Sequence, residues 1–398
     1  MRLTLLNQFY APDISPTAQL AASLAEHRAA LGDEVTVIAG RAGYLEGLGG
    51  GVPAETGVRV RRAWTPDLGK ASLPRRLTGY VTYLAGATWR VLLLPRQDVV
   101  VVMTTPPLVV VVALLHRLLH RRTRVVLWSM DCYPDVAERF GELRTGGLVS
   151  RLLRAATRWA FRRLDHVVAL DGAMAELLTS QYGSAPGQPP CTVVPNWEPA
   201  ALFPAEEVDL DHRPPAEGEP VRLLYLGNIG VGHRFDTVVD AAEQLGSEMH
   251  LRFVGGGARR GELAQALAQR SLANVQLGDY VPKDEVPGLL RSADAALITL
   301  DERSLGVISP SKLHGNLAAG LPIVYVGPAG SNVDEAISRY GCGWSLREGD
   351  VQGVVAAVRS LREPATADVR RRARAAFEAA YCDTVTLPQL DRIVAPGA

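Results

Sequence analysis

The chain has no net charge to offer a partner: 42 Lys and Arg stand against 42 Asp and Glu over 398 residues. A polyanion such as nucleic acid is therefore not an expected partner, and no nucleic-acid-binding motif occurs. Cysteine is scarce as well. Cys132, Cys191, Cys342 and Cys382 lie far apart without C-x-x-C spacing, which argues against a zinc site or a disulfide framework and fits a reducing, cytoplasmic compartment. No run reaches the ~18 apolar residues of a membrane span. Val99–Met103 and Leu108–Leu115 come nearest, and Thr104–Pro107 interrupts them. The opening MRLTLLNQFYAP holds too short an apolar run for a signal peptide and reads as a first strand. Metal-binding patterns are absent too. Asp209-Leu210-Asp211 imitates a D-x-D but sits in an acidic, proline-rich stretch, and His116 and His120 lack an accompanying glutamate motif. No bound metal is expected.

What is present is 47% hydrophobic sequence in a chain long enough for two cores. Leu3–Leu6, a helix from Thr17 to Ala30, Gly32 and Glu34–Ala39 make one βαβ unit, the building block of parallel sheets. Further strands are expected at Val58–Ala63, Asp98–Met103, Arg124–Trp128, His166–Leu170 and Cys191–Val194. Helices are expected at Ser72–Arg96, Leu108–His120, Leu148–Leu164 and Ala173–Tyr182. Residues 198–220, rich in proline and acid, read as a linker. The βα alternation then restarts with strands at Val221–Leu226, His250–Val254, Val275–Leu277 and Ala295–Leu300. Two doubly wound α/β domains follow, with ligands expected at the carboxyl ends of strands.

The stretch Val307–Gly327 organises the second half. Ser309 is a natural N-cap, Pro310 fits the first helical position, and Gly320 terminates the helix before the buried strand Ile323–Val326. Lys312 is out of place there, because a cation in the first turn opposes the helix dipole by about 0.3–1 kcal/mol. First-turn amides together with a lysine suit a phosphate. A second turn, Gly227-Asn228-Ile229-Gly230-Val231-Gly232-His233-Arg234, also joins a strand to a helix, and its glycines permit close backbone approach to an anion. Between Lys70 and Arg163 the count is 16 basic residues against 5 acidic. Arg75, Arg76, Arg151, Arg154, Arg158 and Arg162 lie there beside Leu148, Leu152, Trp89 and Trp159, as an anionic membrane surface would require.

A series of motifs, in order, resembles the family 4 retaining glycosyltransferases, closest to the bacterial O-antigen, colanic-acid and capsule branch. They are Asn7–Pro12, Ala18-Gln19-Leu20, Gly32–Val37, Thr105-Pro106-Pro107, Asp131–Asp135, Val194-Pro195-Asn196, Tyr225–Asn228, Phe253–Gly257, Ala293-Asp294, Pro310–Leu313 and Ala318–Pro322. The resemblance implies a GT-B architecture: two Rossmann-like doubly wound domains facing a cleft, with a C-terminal helix crossing back to the first. It divides the chain into an acceptor domain at 1–197, a linker at 198–220, a nucleotide-sugar domain at 221–378 and a returning helix at 379–398. It implies no cofactor, and a UDP- or GDP-sugar donor serving a glycan or polyprenyl-diphosphate-linked acceptor. The enzyme would be cytoplasmic, or peripheral on the inner face of the plasma membrane.

Residue by residue, the resemblance puts the donor diphosphate on Ser309, Pro310 and Ser311, with Lys312 as countercharge and Gly227, Asn228, Gly230 and His233 alongside. Tyr280 and Val281 would meet the base. Lys312 and Arg234 would neutralise developing phosphate charge, and Asp131 would stand near the reacting sugar or cap the following turn. Tyr10, Asp13 and Ser15 would meet the acceptor. The chain departs from the family where most relatives carry two glutamates across this helix, the second holding the ribose: Val307 and Gly315 stand there. Asn228 and His233 replace an arginine and a lysine. A non-catalytic sugar-nucleotide-binding protein and a sugar-nucleotide 2-epimerase are the alternatives.

Overall fold

The valine-rich runs become the middles of two parallel sheets in the computed structural model, which describes residues 1–13, 15–41, 57–66, 73–183 and 187–396. The start of the expected helix at Ser72, and Lys70, lie outside the described residues. The chain folds as two units, Met1–Val194 with Leu387–Ala398, and Pro195–Thr386.

The first unit holds seven strands: β1 (Arg2–Leu6), β2 (Glu34–Ala39), β3 (Arg59–Arg62), β4 (Val99–Met103), β5 (Arg124–Trp128), β6 (His166–Ala169) and β7 (Cys191–Val193). Their order is β3-β2-β1-β4-β5-β6-β7, every ladder parallel. All five residues of β4 are buried, because a central strand covered by helices on both faces needs apolar side chains in both directions. Ser15 caps the helix Pro16–Ala30, accepting from the Ala18 N–H at 3.3 Å. The last residues of the chain belong to this unit: Asp391 meets His27 at 2.6 Å and Arg28 at 3.0 Å, and Arg124 donates to the Ile393 carbonyl at 3.2 Å.

The second unit holds β8 (Val221–Leu226), β9 (Met249–Val254), β10 (Val275–Gly278), β11 (Ala295–Thr299), β12 (Ile323–Val326) and β13 (Gly343–Leu346) in the order β10-β9-β8-β11-β12-β13, again all parallel. Strand order reverses between β8 and β11, so the loops leaving these two neighbours diverge and open a crevice at their carboxyl ends. Residues 198–220, set apart by composition, pack with this unit. Phe203 joins its core, His212 meets the buried Asp294 at 2.7 Å, and Arg374 donates to the Phe203 carbonyl at 3.0 Å.

The helix of the organising stretch is shorter than its residues imply. It runs from Lys312 to Ala318 with Ser311 at the N-cap, in helical backbone and without a side-chain cap bond. Ser309 and Pro310 lie outside it, because the Pro310 carbonyl is taken by the Asn332 side chain at 3.2 Å. Gly320 does close it, at φ +67°, its N–H donating to the Leu317 carbonyl at 2.9 Å.

Candidate functional site

The switch point of the second sheet gathers the residues that the two strand–helix turns bring. Gly227 leaves β8 at φ +118°, a conformation that favours glycine, and a Cβ there would lie 3.3 Å from the Lys312 Cε. Gly255, which follows β9, packs still closer, since a Cβ on it would stand 2.2 Å from the Gly227 carbonyl oxygen. The backbone of the glycine-rich turn is thereby laid against the lysine stem.

His233 ties the two turns together. Its Nδ1 donates to the Thr299 carbonyl at the end of β11 at 2.6 Å, which leaves Nε2 as an acceptor. That nitrogen stands 3.1 Å from the Lys312 Nζ, which also donates to the Asn228 carbonyl at 3.2 Å. The amine lies 4.9 Å above the Tyr225 ring, and Tyr225 packs edge-on to His233. Burial pushes the His233 pKa down to about 3 and the Lys312 amine down to about 7. The histidine therefore stays neutral, and the lysine is the group that takes or gives a proton near neutrality. The Gly232 carbonyl accepts from the Asp301 N–H at 2.9 Å and from Ser304 Oγ at 3.1 Å, fixing the loop after β11 against the loop after β8.

Of the residues singled out by sequence, Gly227, Asn228, His233 and Lys312 are brought into contact. Gly230 lies against the Asn228 amide: a Cβ on it would stand 2.7 Å from Nδ2. Ser309, Pro310, Ser311 and Gly315 share one connected segment with Lys312, and the Ser311 carbonyl receives His314 Nδ1 at 3.0 Å. Arg234 is not brought in. Its half-exposed guanidinium is paired with Glu348 at 2.8 Å and faces Asp236 at 3.5 Å. Arg259, which sequence reasoning passes over, donates instead to the His233 carbonyl at 2.6 Å. Half-buried Tyr280 lies against Gly256 and donates to its carbonyl at 3.3 Å, while Val281 packs on the core.

The first unit has its own switch point, between β1 and β4. Asp131, half-buried after β5, borders a cavity of about 50 Å³ lined also by Thr104, Leu108 and Tyr133. Thr104 Oγ1 accepts from the Met130 and Asp131 N–H groups at 3.0 Å, and burial pushes the Asp131 carboxyl up to about 6. After β1, Tyr10 and Asp13 are buried beside Arg62, whose guanidinium donates to the Ala11 and Gly40 carbonyls. Arg62 carries no local signal, because it sits at the far end of an exposed strand. The Ser15 hydroxyl is committed to its helix cap.

Residues 17–197 match the glycosyl transferase 4-like domain, and residues 220–363 match the glycosyl transferases group 1 domain. The probable glycosyltransferase WbjE of Pseudomonas aeruginosa is 23% identical over 275 residues, 68% of this chain and 68% of that protein. The putative colanic acid biosynthesis glycosyl transferase WcaI of Escherichia coli is 26% identical over 220 residues, 54% of this chain and 53% of WcaI. Anabaena HepE, solved in complex with UDP, superposes with a TM-score of 0.70 at 14% identity, covering 99% of both chains. Both units thus have the doubly wound form of the GT-B fold.

Proposed function

Because the chain belongs to the glycosyltransferases that join a 4-like domain to a group 1 domain, we propose that it transfers a sugar from a nucleoside-diphosphate sugar to a glycan or lipid-linked acceptor in cell-surface polysaccharide assembly. The contact of Lys312 with His233 and Asn228 at the switch point carries the reading. It gives a diphosphate one cation whose charge rises when an anion arrives. Relatives support the rest: WcaI is named for colanic acid biosynthesis, and HepE holds UDP.

In the proposed step the acceptor oxygen bonds to the anomeric carbon on the face from which the diphosphate departs, and the carbon–phosphate-oxygen bond breaks. The acceptor proton passes to the departing phosphate oxygen, so the configuration is retained. Lys312 neutralises the charge that develops there, a preorganised electrostatic role that asks for no metal. To the first unit we assign the acceptor, with Tyr10 and Asp13 binding hydroxyls and Asp131 facing the reacting sugar. The hexosyl or N-acetylhexosaminyl character of the donor belongs to the same proposal.

Incubation with a panel of UDP- and GDP-sugars, in EDTA and with lipid-linked acceptors, tests it. Acceptor-dependent release of nucleoside diphosphate is expected. Binding without release would identify a sugar-nucleotide-binding protein, and a product altered at C2 of the sugar an epimerase.

A membrane-surface role for the first unit is a second proposal, and one specific surface favours it. Leu148, Val149, Leu152 and Trp159 are exposed on the helix Leu148–Phe161, with Arg151, Arg158 and Arg162 also exposed. Two of the arginines expected at a membrane surface are engaged within the fold. Arg154 pairs with Asp135 at 2.7 Å and Glu138 at 2.6 Å, and Arg76 pairs with Glu142 at 2.7 Å. No helix of the described residues is long and apolar enough to cross a membrane. The protein is expected to float with vesicles containing anionic lipid, and a Leu148→Asp, Leu152→Asp variant to stay behind. Flotation unaffected by these changes would remove the helix from the reading.

A further inference from the structure

Glu198 is a carboxylate without a partner. Its side chain accepts no hydrogen bond from the described residues, although it is half-buried. The charged groups facing it are Lys283, which favours its ionised form, and Asp383, which opposes it. Burial is the larger effect and, together with Asp383, outweighs Lys283 and pushes the carboxyl up to about 7. A half-buried carboxylate with no donor from the described residues on it is open to a ligand that brings one.

The residue is also held firmly. Its N–H donates to the Tyr381 carbonyl at 3.1 Å, its carbonyl accepts from the Asp383 N–H at 3.2 Å, and Asp383 Oδ1 receives the Ala200 N–H at 3.0 Å. Two residues earlier the buried Asn196 leaves its Oδ1 without a hydrogen-bond donor. This segment therefore offers acceptors and lacks donors.

Its position gives the acceptors a purpose. Gly315 lies one turn beyond Lys312, on the same helix and one of the two nearest positions along that face. A Cβ on Gly315 would stand 3.8 Å from both Cγ and Oε1 of Glu198. The missing side chain leaves the carboxylate uncovered beside the lysine-bearing helix. That contact is ordinary van der Waals spacing, so the backbone does not demand glycine there. The ligand that answers an open carboxylate is a pair of neighbouring hydroxyls, each donating to one oxygen. A nucleoside-diphosphate sugar carries such a pair on its ribose and others on its sugar.

We infer that Glu198 binds a vicinal diol of the donor, over Gly315, while Lys312 holds the diphosphate. The inference rests on the donor reading proposed above. Sequence alone hides the residue, because Glu198 lies 117 positions before Gly315 in a stretch whose composition reads as a linker.

Titration calorimetry on the full chain tests it, with UDP and GDP, their 2′-deoxy and 3′-deoxy counterparts, the matching nucleotide sugars, and pyrophosphate. The wild type is expected to prefer the diol-bearing ligand by about tenfold or more. Glu198→Ala and the isosteric Glu198→Gln are expected to reduce that preference to within about twofold of none, with pyrophosphate binding unchanged. Loss of the ribose-to-deoxyribose ratio identifies the ribose as the source. Loss only of the preference for nucleotide sugar over nucleotide identifies the transferred sugar. Both ratios surviving in a Glu198→Gln protein of wild-type melting temperature overturns the inference. Failure of the wild type to bind any of these ligands overturns the donor reading itself.

Discussion

Replacing Lys312 by alanine is expected to lower sugar transfer by about 10²-fold, the usual consequence of removing a preorganised donor to a developing oxyanion. The melting temperature should not fall for electrostatic reasons, since burial that holds the amine's pKa below its ordinary value makes this lysine a cost to folding near pH 7. Turnover per bound donor is the measurement. The cause is visible around the side chain: the amine touches a neutral histidine nitrogen, a backbone carbonyl and an aromatic face, and none of these carries a full negative charge. A diphosphate is the counterion this arrangement lacks. Binding it favours the ammonium, so the pKa of about 7 rises in the complex. Above pH 7 donor binding should therefore take up a proton, and affinity should fall as pH rises. Calorimetry in two buffers of different ionisation enthalpy reads the uptake, which the alanine variant should lose. The sign for folding is the opposite of that for a lysine held by a carboxylate. Between pH 7 and the ordinary lysine value of 10.5 the unfolded chain holds more protons than the folded one, so this lysine's contribution to stability rises with pH across that window.

Gly255→Ala is expected to be the most damaging small substitution near the site. The residue adopts φ +141°, and the new methyl would meet the Gly227 carbonyl oxygen at 2.2 Å, a backbone atom that no rotamer can move aside. Strain of about 1–3 kcal/mol for the backbone and a similar overpacking cost together give roughly 2–6 kcal/mol. Because Gly227 in turn rests against the Lys312 stem, donor binding should fail even where the chain still folds. Gly261→Ala is the contrasting change. It lies in the helix Arg260–Arg270 with open space around it, and should be neutral or stabilise by up to about 1 kcal/mol. Denaturant midpoints of the two variants measure the difference.

These two sites also show what can be read from the residues. Runs such as Val99–Met103 and Ala295–Thr299 announce buried parallel strands, and the motif series announces the GT-B fold and its family. Lys312 stands out because a cation opening a helix has a local cost. Other features depend on partners that no local pattern names. β13, Gly-Trp-Ser-Leu, is a half-buried edge strand that gains its identity from pairing with β12. Arg234 looks free for a phosphate, but Glu348, distant in sequence, claims its guanidinium. Arg154 shares the spacing of an exposed arginine stripe, yet the carboxylates of Asp135 and Glu138 turn it inward. Ser309 and Pro310 have the chemistry of a helix start, and the Asn332 amide keeps them outside it. In each case the competing partner lies well away in sequence, where no local pattern points to it.

The chain contains three lysines, Lys70, Lys283 and Lys312, among 42 basic side chains. An arginine cannot release its proton at physiological pH. With burial holding the Lys312 amine near its titration point at pH 7, the lysine carries less than a full charge when alone and gains charge on arrival of an anion. A guanidinium in the same place would be a standing trap for any phosphate in the surroundings. On the donor reading proposed above, burying a lysine rather than an arginine here would select against idle occupancy, separately from any contact that recognises the correct donor.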